Sequence, residues 1–378
     1  MDDLDVTRIR AYAATPALMP AARYSGREDL SVFNIEILRL TLANGAEGVS
    51  SCEGGWGGAQ GGDVVRNLGR ISDRILGENV THRVALTDSL LADAGEGPWE
   101  EISLIDCAMW DAYARSIGKP LWQLLGGHRD RVEAYASTVA YLTIDEYLSD
   151  AKRCTELGYR AIKFHMKADL DFDLEMVRAV TAQHRESDLR FMVDLEECYT
   201  FDEAIRLGEV LSDLPFDWME APLPDRDLEA YIELNKAVGI DVLPAGNTLV
   251  GPEHWTKGLR SGAWSRLRSD AINAGGVSGM VKAIELAQSM QVPVELQSFG
   301  FQPAQHVNLH LMLGLPGCTW FEHPVPAAAF EYATHNPLQL DSEGCVQAAK
   351  GPGLGLEINW DLIESDAFTT FDSFDVDP

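Results

Sequence analysis

Oxygen-bearing side chains recur directly after short apolar runs. Phe191, Met192 and Val193 lead to Asp194; Trp218 and Met219 lead to Glu220; Val242 and Leu243 lead through Pro244, Ala245 and Gly246 to Asn247. If the runs are adjacent strands of a parallel sheet, the three donors gather at one edge. They would form a one-sided shell for a hard cation such as Mg2+, leaving positions for water and substrate oxygens. The competing reading is that Asp194 and Glu220 each cap a following helix, since a carboxylate is stabilised at a helix N-terminus. Two acids on consecutive strands with an amide on the next favour the metal.

Lys163 and His165 stand two apart at the end of another such run, so both point to one side of a sheet. A lysine ammonium beside an imidazole favours the neutral imidazole, the form that accepts a proton, and Lys163 could also pair with a substrate carboxylate. Asp270 follows Arg266, Leu267 and Arg268, and Gln297 follows Val294 and Leu296. As neighbours these two could hydrogen bond, but an amide cannot exchange a proton as histidine does, so the pair reads as a binding device. Glu322, after Trp320 and Phe321, would be a buried acid that burial could hold protonated as a donor. Glu196, two beyond Asp194, could supply an acid or support the metal from behind.

The elements that must position these residues repeat. Comparing Ser137, His165, Asp194, Glu220, Ala245, Asp270, Gln297 and Glu322 gives successive separations of 28, 29, 26, 25, 25, 27 and 25 residues. Eight evenly spaced β segments alternating with helical periodicity predict a closed parallel (β/α)8 barrel, whose active site forms at the carboxyl ends of its strands. Thr143 with Glu146 and Thr200 with Glu203 are capping-box patterns at helix starts, and Gly158 can stop the first of those helices. An open doubly wound sheet is disfavoured because no glycine-rich phosphate loop follows any strand. The barrel domain is expected over 126–343. Residues 1–125 read as an N-terminal α+β domain with a Gly-rich loop, Gly54 to Gly62, and 344–378 is expected to pack back on it.

At 378 residues the chain exceeds one barrel by enough to need that second module. Six cysteines without a C-x-x-C pair suggest buried free thiols rather than a zinc cage or disulfide framework. A formal charge of -29 would repel nucleic acid and anionic membrane surfaces. With neither a long apolar run nor a leader-like start, a cytoplasmic location is expected.

The stretches SLIDCAMWDAYARSIGKPLWQLLGG (Ser103 to Gly127), AIKFH, MVDLEE, WMEAPLP, LPAGN, SDAINAGGVSGMVKAIELAQ (Ser269 to Gln288) and GPGLGLEINWD (Gly351 to Asp361) resemble the mandelate racemase and muconate lactonizing enzyme branch of the enolase superfamily along nearly the whole chain. The resemblance implies a barrel capped by the N-terminal domain. In it Mg2+ would hold the substrate carboxylate while a base removes the alpha proton to give an enediolate. It carries ligand roles to Asp194, Glu220 and Asn247, the base role to His165 or Lys163, and an enolate-donor role to Glu322. Substrate selection would fall to capping loops containing Arg23, Tyr24 and Trp56.

Three departures stand out: Asn247 where many members have glutamate, His165 where lysine is common, and Gln297 where the histidine of an Asp-His pair usually lies. Without that histidine a two-base racemase loses its second group, whereas a syn dehydration can use one residue as both base and acid. Dehydration of an acid sugar or related hydroxy acid is therefore expected. Epimerisation, racemisation or cycloisomerisation of a carboxylate is the alternative, and a non-catalytic metal and carboxylate binder is a third reading. The expected partner is a small-molecule carboxylate, with no nucleic acid or membrane, in an assembly of identical subunits.

Overall fold

A computed structural model describes residues 2–16, 34–54, 61–95 and 99–375, and the backbone alone of 22–24 and 27–30. Trp56 lies outside the described residues, and so do the side chains of Arg23 and Tyr24.

Eight parallel strands form the barrel: Arg131–Ser137, Ala161–His165, Arg190–Asp194, Phe216–Glu220, Asp241–Leu243, Leu267–Ser269, Val294–Leu296 and Phe321–Pro324. The hydrogen-bond ladder comes in two pieces. One runs from the fifth strand through the fourth, third, second and first to the eighth; the other joins the sixth to the seventh. The fifth strand stops at Leu243 because Pro244 has no N–H to continue the ladder.

Single backbone bonds and side chains carry the two gaps. Ser265 donates its backbone N–H to the Val242 carbonyl at 3.0 Å, and its hydroxyl accepts from Val242 N at 3.1 Å. Arg266 reaches Asp241 at 2.8 Å and Glu295 at 2.6 Å, tying the fifth, sixth and seventh strands. Thr319 donates both to the Val294 carbonyl and to Glu295, joining the seventh strand to the eighth.

Inside the barrel the two-residue period sorts side chains into layers. Tyr135, Ala161, Met192 and Trp218 form an apolar layer in which the Tyr135 and Trp218 rings meet edge to face at 5.7 Å. Two residues further along the same strands stand Ser137, Lys163, Asp194 and Glu220. The alternation that builds a dry plug thus places a charged layer directly above it.

Both capping boxes form. Thr143 and Glu146 start the helix Ile144–Glu156, Thr200 and Glu203 start Phe201–Ser212, and Gly158 (φ 102°) follows the first. A four-stranded antiparallel sheet contains Val6–Ala14, Asn34–Leu42 and Glu47–Gly54, and the C-terminal strand Ala367–Asp372 pairs with Val6–Ala14 at its edge. Five cysteines are buried, but Cys198, in the loop after the third barrel strand, is exposed.

The helix Glu100–Ser116 holds this sheet to the barrel through two buried aspartates. Asp106 accepts from Thr87 Oγ1, Ser278 N and Ser278 Oγ, the serine lying at the start of the barrel helix Gly276–Ser289. Asp111 accepts from Val49 N, Leu354 N and Arg115 Nε. The Leu354 carbonyl in turn accepts from His306 and His310, while His310 Nδ1 accepts from Trp122 N. Burial lowers both histidines well below their ordinary range, to about 4 and about 3, so they are neutral donors here.

Candidate active site

The mouth of the barrel opens into a cavity of about 540 Å³. Its walls include Asp194, Glu196, Glu220, Asn247, Asp270 and Gln297, together with Ser298 and Arg226. The capping domain contributes Cys52, Glu53 and Glu100. The first six are residues that the sequence places at or just beyond the strand ends.

Below this wall lies a buried ion network. Lys163 Nζ is 2.9 Å from Asp194 Oδ2, 2.9 Å from Glu220 Oε2 and 2.8 Å from Glu322 Oε1. Burial disfavours an ammonium, but three carboxylates outweigh that cost and hold Lys163 well above the ordinary lysine range. The expectation that Lys163 could pair with a substrate carboxylate is corrected: its three N–H donors meet three protein carboxylates, and it is 1 % exposed.

Arg268, to which sequence reasoning assigned no role, completes the network. Its Nε is 2.6 Å from Glu220 Oε1 and its Nη2 is 3.1 Å from Glu322 Oε2. The signal was present: Arg266, Arg268 and Asp270 alternate, and an arginine inside a barrel strand must find carboxylates. Glu322 likewise departs from expectation. Burial would raise it, yet Lys163 and Arg268 hold it well below the usual carboxylate range, so it is an ionised acceptor and not a protonated donor.

His165 is also corrected. Its Nδ1–H donates to the Thr138 carbonyl, which turns Nε2 toward Asp194 Oδ2 and Glu196 Oε1, each 3.4 Å away. Burial and Lys163 favour the neutral ring, as anticipated from Lys163 alone, but the Asp194 charge and the Glu196 hydrogen bond outweigh them and raise the imidazole above its ordinary value. His165 is buried against Phe299, and Glu196 is the member of the pair on the cavity wall. Glu196 and Glu197 both have positive φ (50° and 59°), as does Ala221 (46°) directly after Glu220. Backbone strain of this kind concentrates at functional sites.

Asp270 and Gln297 share the wall without a hydrogen bond between them. The Asp270 carboxylate accepts from Ile272 N, Asn273 N and Asn273 Nδ2, closing its own turn. Gln297 Oε1 is buried without a partner among the described residues.

Asn247 is exposed to the cavity on a loop held by Asp225, a residue sequence reasoning passed over. The Asp225 carboxylate accepts from Ala245 N at 2.8 Å, Gly246 N at 2.9 Å and Thr248 Oγ1 at 3.3 Å. Burial nevertheless pushes it up to about 6. Gly246 (φ 79°) is required in that loop, because a Cβ there would lie 2.2 Å from the Arg268 carbonyl oxygen.

The donor set fits a divalent cation. Asp194 and Glu220 are paired in register, and Asn247 lines the same cavity. Burial pushes the Glu220 carboxyl well up; Arg268 opposes this, and the adjacent Asp194 adds to it. Two carboxylates pressed together in a buried site are what a cation relieves. A second cluster, His165, Asp194 and Glu196, has donor atoms within 4.8 Å of one another. The imidazole there is already paired with both acids, which leaves the oxygen set as the candidate cation site.

A capped parallel barrel with paired acids at adjacent strand ends is the architecture of the enolase superfamily, and this chain belongs to it. Residues 27–126 match the mandelate racemase / muconate lactonizing enzyme N-terminal domain, and residues 146–362 match the enolase C-terminal domain-like family. L-talarate/galactarate dehydratase of Salmonella typhimurium is 28% identical over 359 residues, covering 92% of this chain and 86% of that protein. Relatives named as a cycloisomerase and a racemase also match. The crystal structure of a mandelate racemase/muconate lactonizing enzyme from Pseudovibrio sp. is 31% identical with a TM-score of 0.94, over 98% of this chain and 99% of that one. The fold is shared as well by a D-glucarate dehydratase from Agrobacterium tumefaciens, crystallised with magnesium: 24% identity, TM-score 0.82, over 97% of this chain and all of that one. Among the described residues no helix is long and apolar enough to cross a membrane.

Proposed function

We propose that the protein dehydrates an acid sugar or related hydroxy acid, with Mg2+ held by Asp194, Glu220 and Asn247. One observation carries dehydration over racemisation: among the barrel strand ends, an imidazole paired with a carboxylate stands on one side of the cavity only. His165 and Glu196 belong to the second and third strands. On the opposite side Gln297 has no exchangeable acid proton and Asp270 is committed to three donors. A two-base racemisation needs a group on each face of the alpha carbon; a syn elimination needs one side only.

A bound Mg2+ supplies charge stabilisation at the substrate carboxylate. The residues supply the proton chemistry. With Nδ1 tied to Thr138, the Nε2 of His165 is the atom at which a proton is held, and Glu196 extends the pair to the cavity wall. The alpha C–H bond breaks and its proton passes to this pair. The beta C–O bond then breaks, the hydroxide leaves as water with a proton from the same pair, and the enol product tautomerises to a 2-keto acid. Arg226, the arginine on the wall, supplies a charge for a second substrate anion, a feature that favours diacids.

The test is a panel of aldaric and aldonic acids with Mg2+, read by semicarbazide trapping of keto acid and by alpha-proton exchange in D2O. Keto acid is the expected product. Exchange without keto acid would replace dehydration with isomerisation, and neither signal, with ligand-induced thermal shifts retained, would indicate a binding protein.

A further inference from the structure

A single buried side chain fixes the ends of the sixth and seventh barrel strands to each other. Asn308, on the helix Gln302–Gly314 and 1 % exposed, accepts from Ala271 N at 3.1 Å through its Oδ1. Its Nδ2 donates to the Gln297 carbonyl at 2.7 Å. The Gln297 N–H in turn donates to the Ser269 carbonyl at 3.0 Å. Both backbone polar groups of Gln297 are therefore committed, and the residue is held rigidly at the cavity wall.

Its side chain is the remainder. Gln297 Oε1 is buried at that wall without a partner among the described residues. The neighbouring Ser298 hydroxyl, 2 % exposed on the same wall, is in the same condition. Buried polar atoms without partners are costly and rare in folded proteins, and where they border a cavity a ligand is the natural partner. The chemistry of the atom narrows that ligand. An amide oxygen only accepts, so a substrate carboxylate cannot satisfy it; it needs a donor, and the donors an acid sugar offers at neutral pH are its hydroxyl groups.

We propose that the Gln297 carboxamide oxygen accepts a hydrogen bond from a hydroxyl of the substrate chain, and so selects hydroxylated acids over their deoxy analogues. The inference rests on the reading of the cavity as a hydroxy-acid site and assigns the residue that reads one hydroxyl. A site built to bond a hydroxyl rejects the analogue lacking it, because the acceptor is then left buried and unpaired.

The test compares kcat/KM, in the full-length protein with Mg2+, for a panel acid that yields keto acid and for its deoxy analogues, each missing one hydroxyl other than the one eliminated. The unaltered protein should prefer the parent acid over one analogue by about tenfold or more, and Gln297→Met, similar in length but without the acceptor, should reduce that preference to within about twofold. Gln297→Glu, which keeps an oxygen acceptor, should retain the preference although its charge weakens the binding of both acids. Each ratio compares two ligands on one protein, so any loss of folded protein cancels.

An unchanged preference in Gln297→Met would overturn the inference and leave the dehydration intact, as would an unaltered protein that treats every analogue like the parent. If no panel acid yields keto acid, the dehydration fails, and the same comparison made with calorimetric affinities decides the inference by itself. Binding of no panel acid at all would overturn both.

Discussion

Arg268 Nε lies 2.6 Å from Glu220 Oε1, so a guanidinium already holds one oxygen of a carboxylate assigned to the metal. Both side chains are buried, and each is the other's main compensation. Replacing Arg268 by Leu leaves Glu220 and Glu322 to share Lys163 alone, and breaking a buried pair in this way should cost about 3 to 5 kcal/mol. Added Mg2+ should recover part of that loss, so the Mg2+-induced rise in Tm should be larger in Arg268→Leu than in the unaltered protein. An equal rise in both would show that Arg268 and the metal do not share Glu220.

Asp194→Ala removes a proposed ligand and leaves Lys163 with two carboxylates. Mg2+ affinity by calorimetry should fall by more than the roughly 10- to 100-fold that loss of an outer partner costs. Asn247→Glu should keep metal binding, because an oxygen donor remains, while changing turnover. A folded Asn247→Glu protein that binds no Mg2+ would sink the assignment of Asn247.

His165→Asn should preserve the fold and Mg2+ affinity but abolish alpha-proton exchange in D2O, losing at least the ~100-fold typical of a positioned base. Glu196→Gln should reduce exchange as well, since Glu196 is the member of the pair that meets the cavity. Normal exchange in both variants would move the base elsewhere.

Asp106 bears on stability rather than chemistry. Burial, only partly offset by Ser278 and Thr87, raises its carboxyl from an ordinary 3.8 to about 6. The folded state therefore binds a proton more tightly than the unfolded chain, and stability from this group is lost as pH rises from about 4 through about 6. The full shift corresponds to about 3 kcal/mol. Asp106→Asn cannot titrate, so its stability relative to the unaltered protein should rise across that window in urea unfolding at stepped pH. A difference flat with pH would disprove the raised value.

The barrel and the gathering of the proposed metal ligands were legible in the sequence. Both follow from local chemistry: a two-residue period decides which side chains face inward, a helix cap decides where each unit restarts, and regular spacing leaves the strand ends level. Asp194, Glu220, Asn247, Asp270 and Gln297 reach one cavity by these local rules. What the rules could not reach was charge state and partnership, because these depend on every group within a few ångströms, brought from distant parts of the chain. Lys163 beside His165 predicts a neutral imidazole, but Glu196 and Asp194 reverse the sign. Burial of Glu322 predicts a protonated acid, but Lys163 and Arg268, 159 and 54 residues away in sequence, keep it ionised. The hydroxyl of Ser298, without a partner among the described residues, was equally invisible, since partnership is a property of the packed interior and not of a residue's own position in the chain.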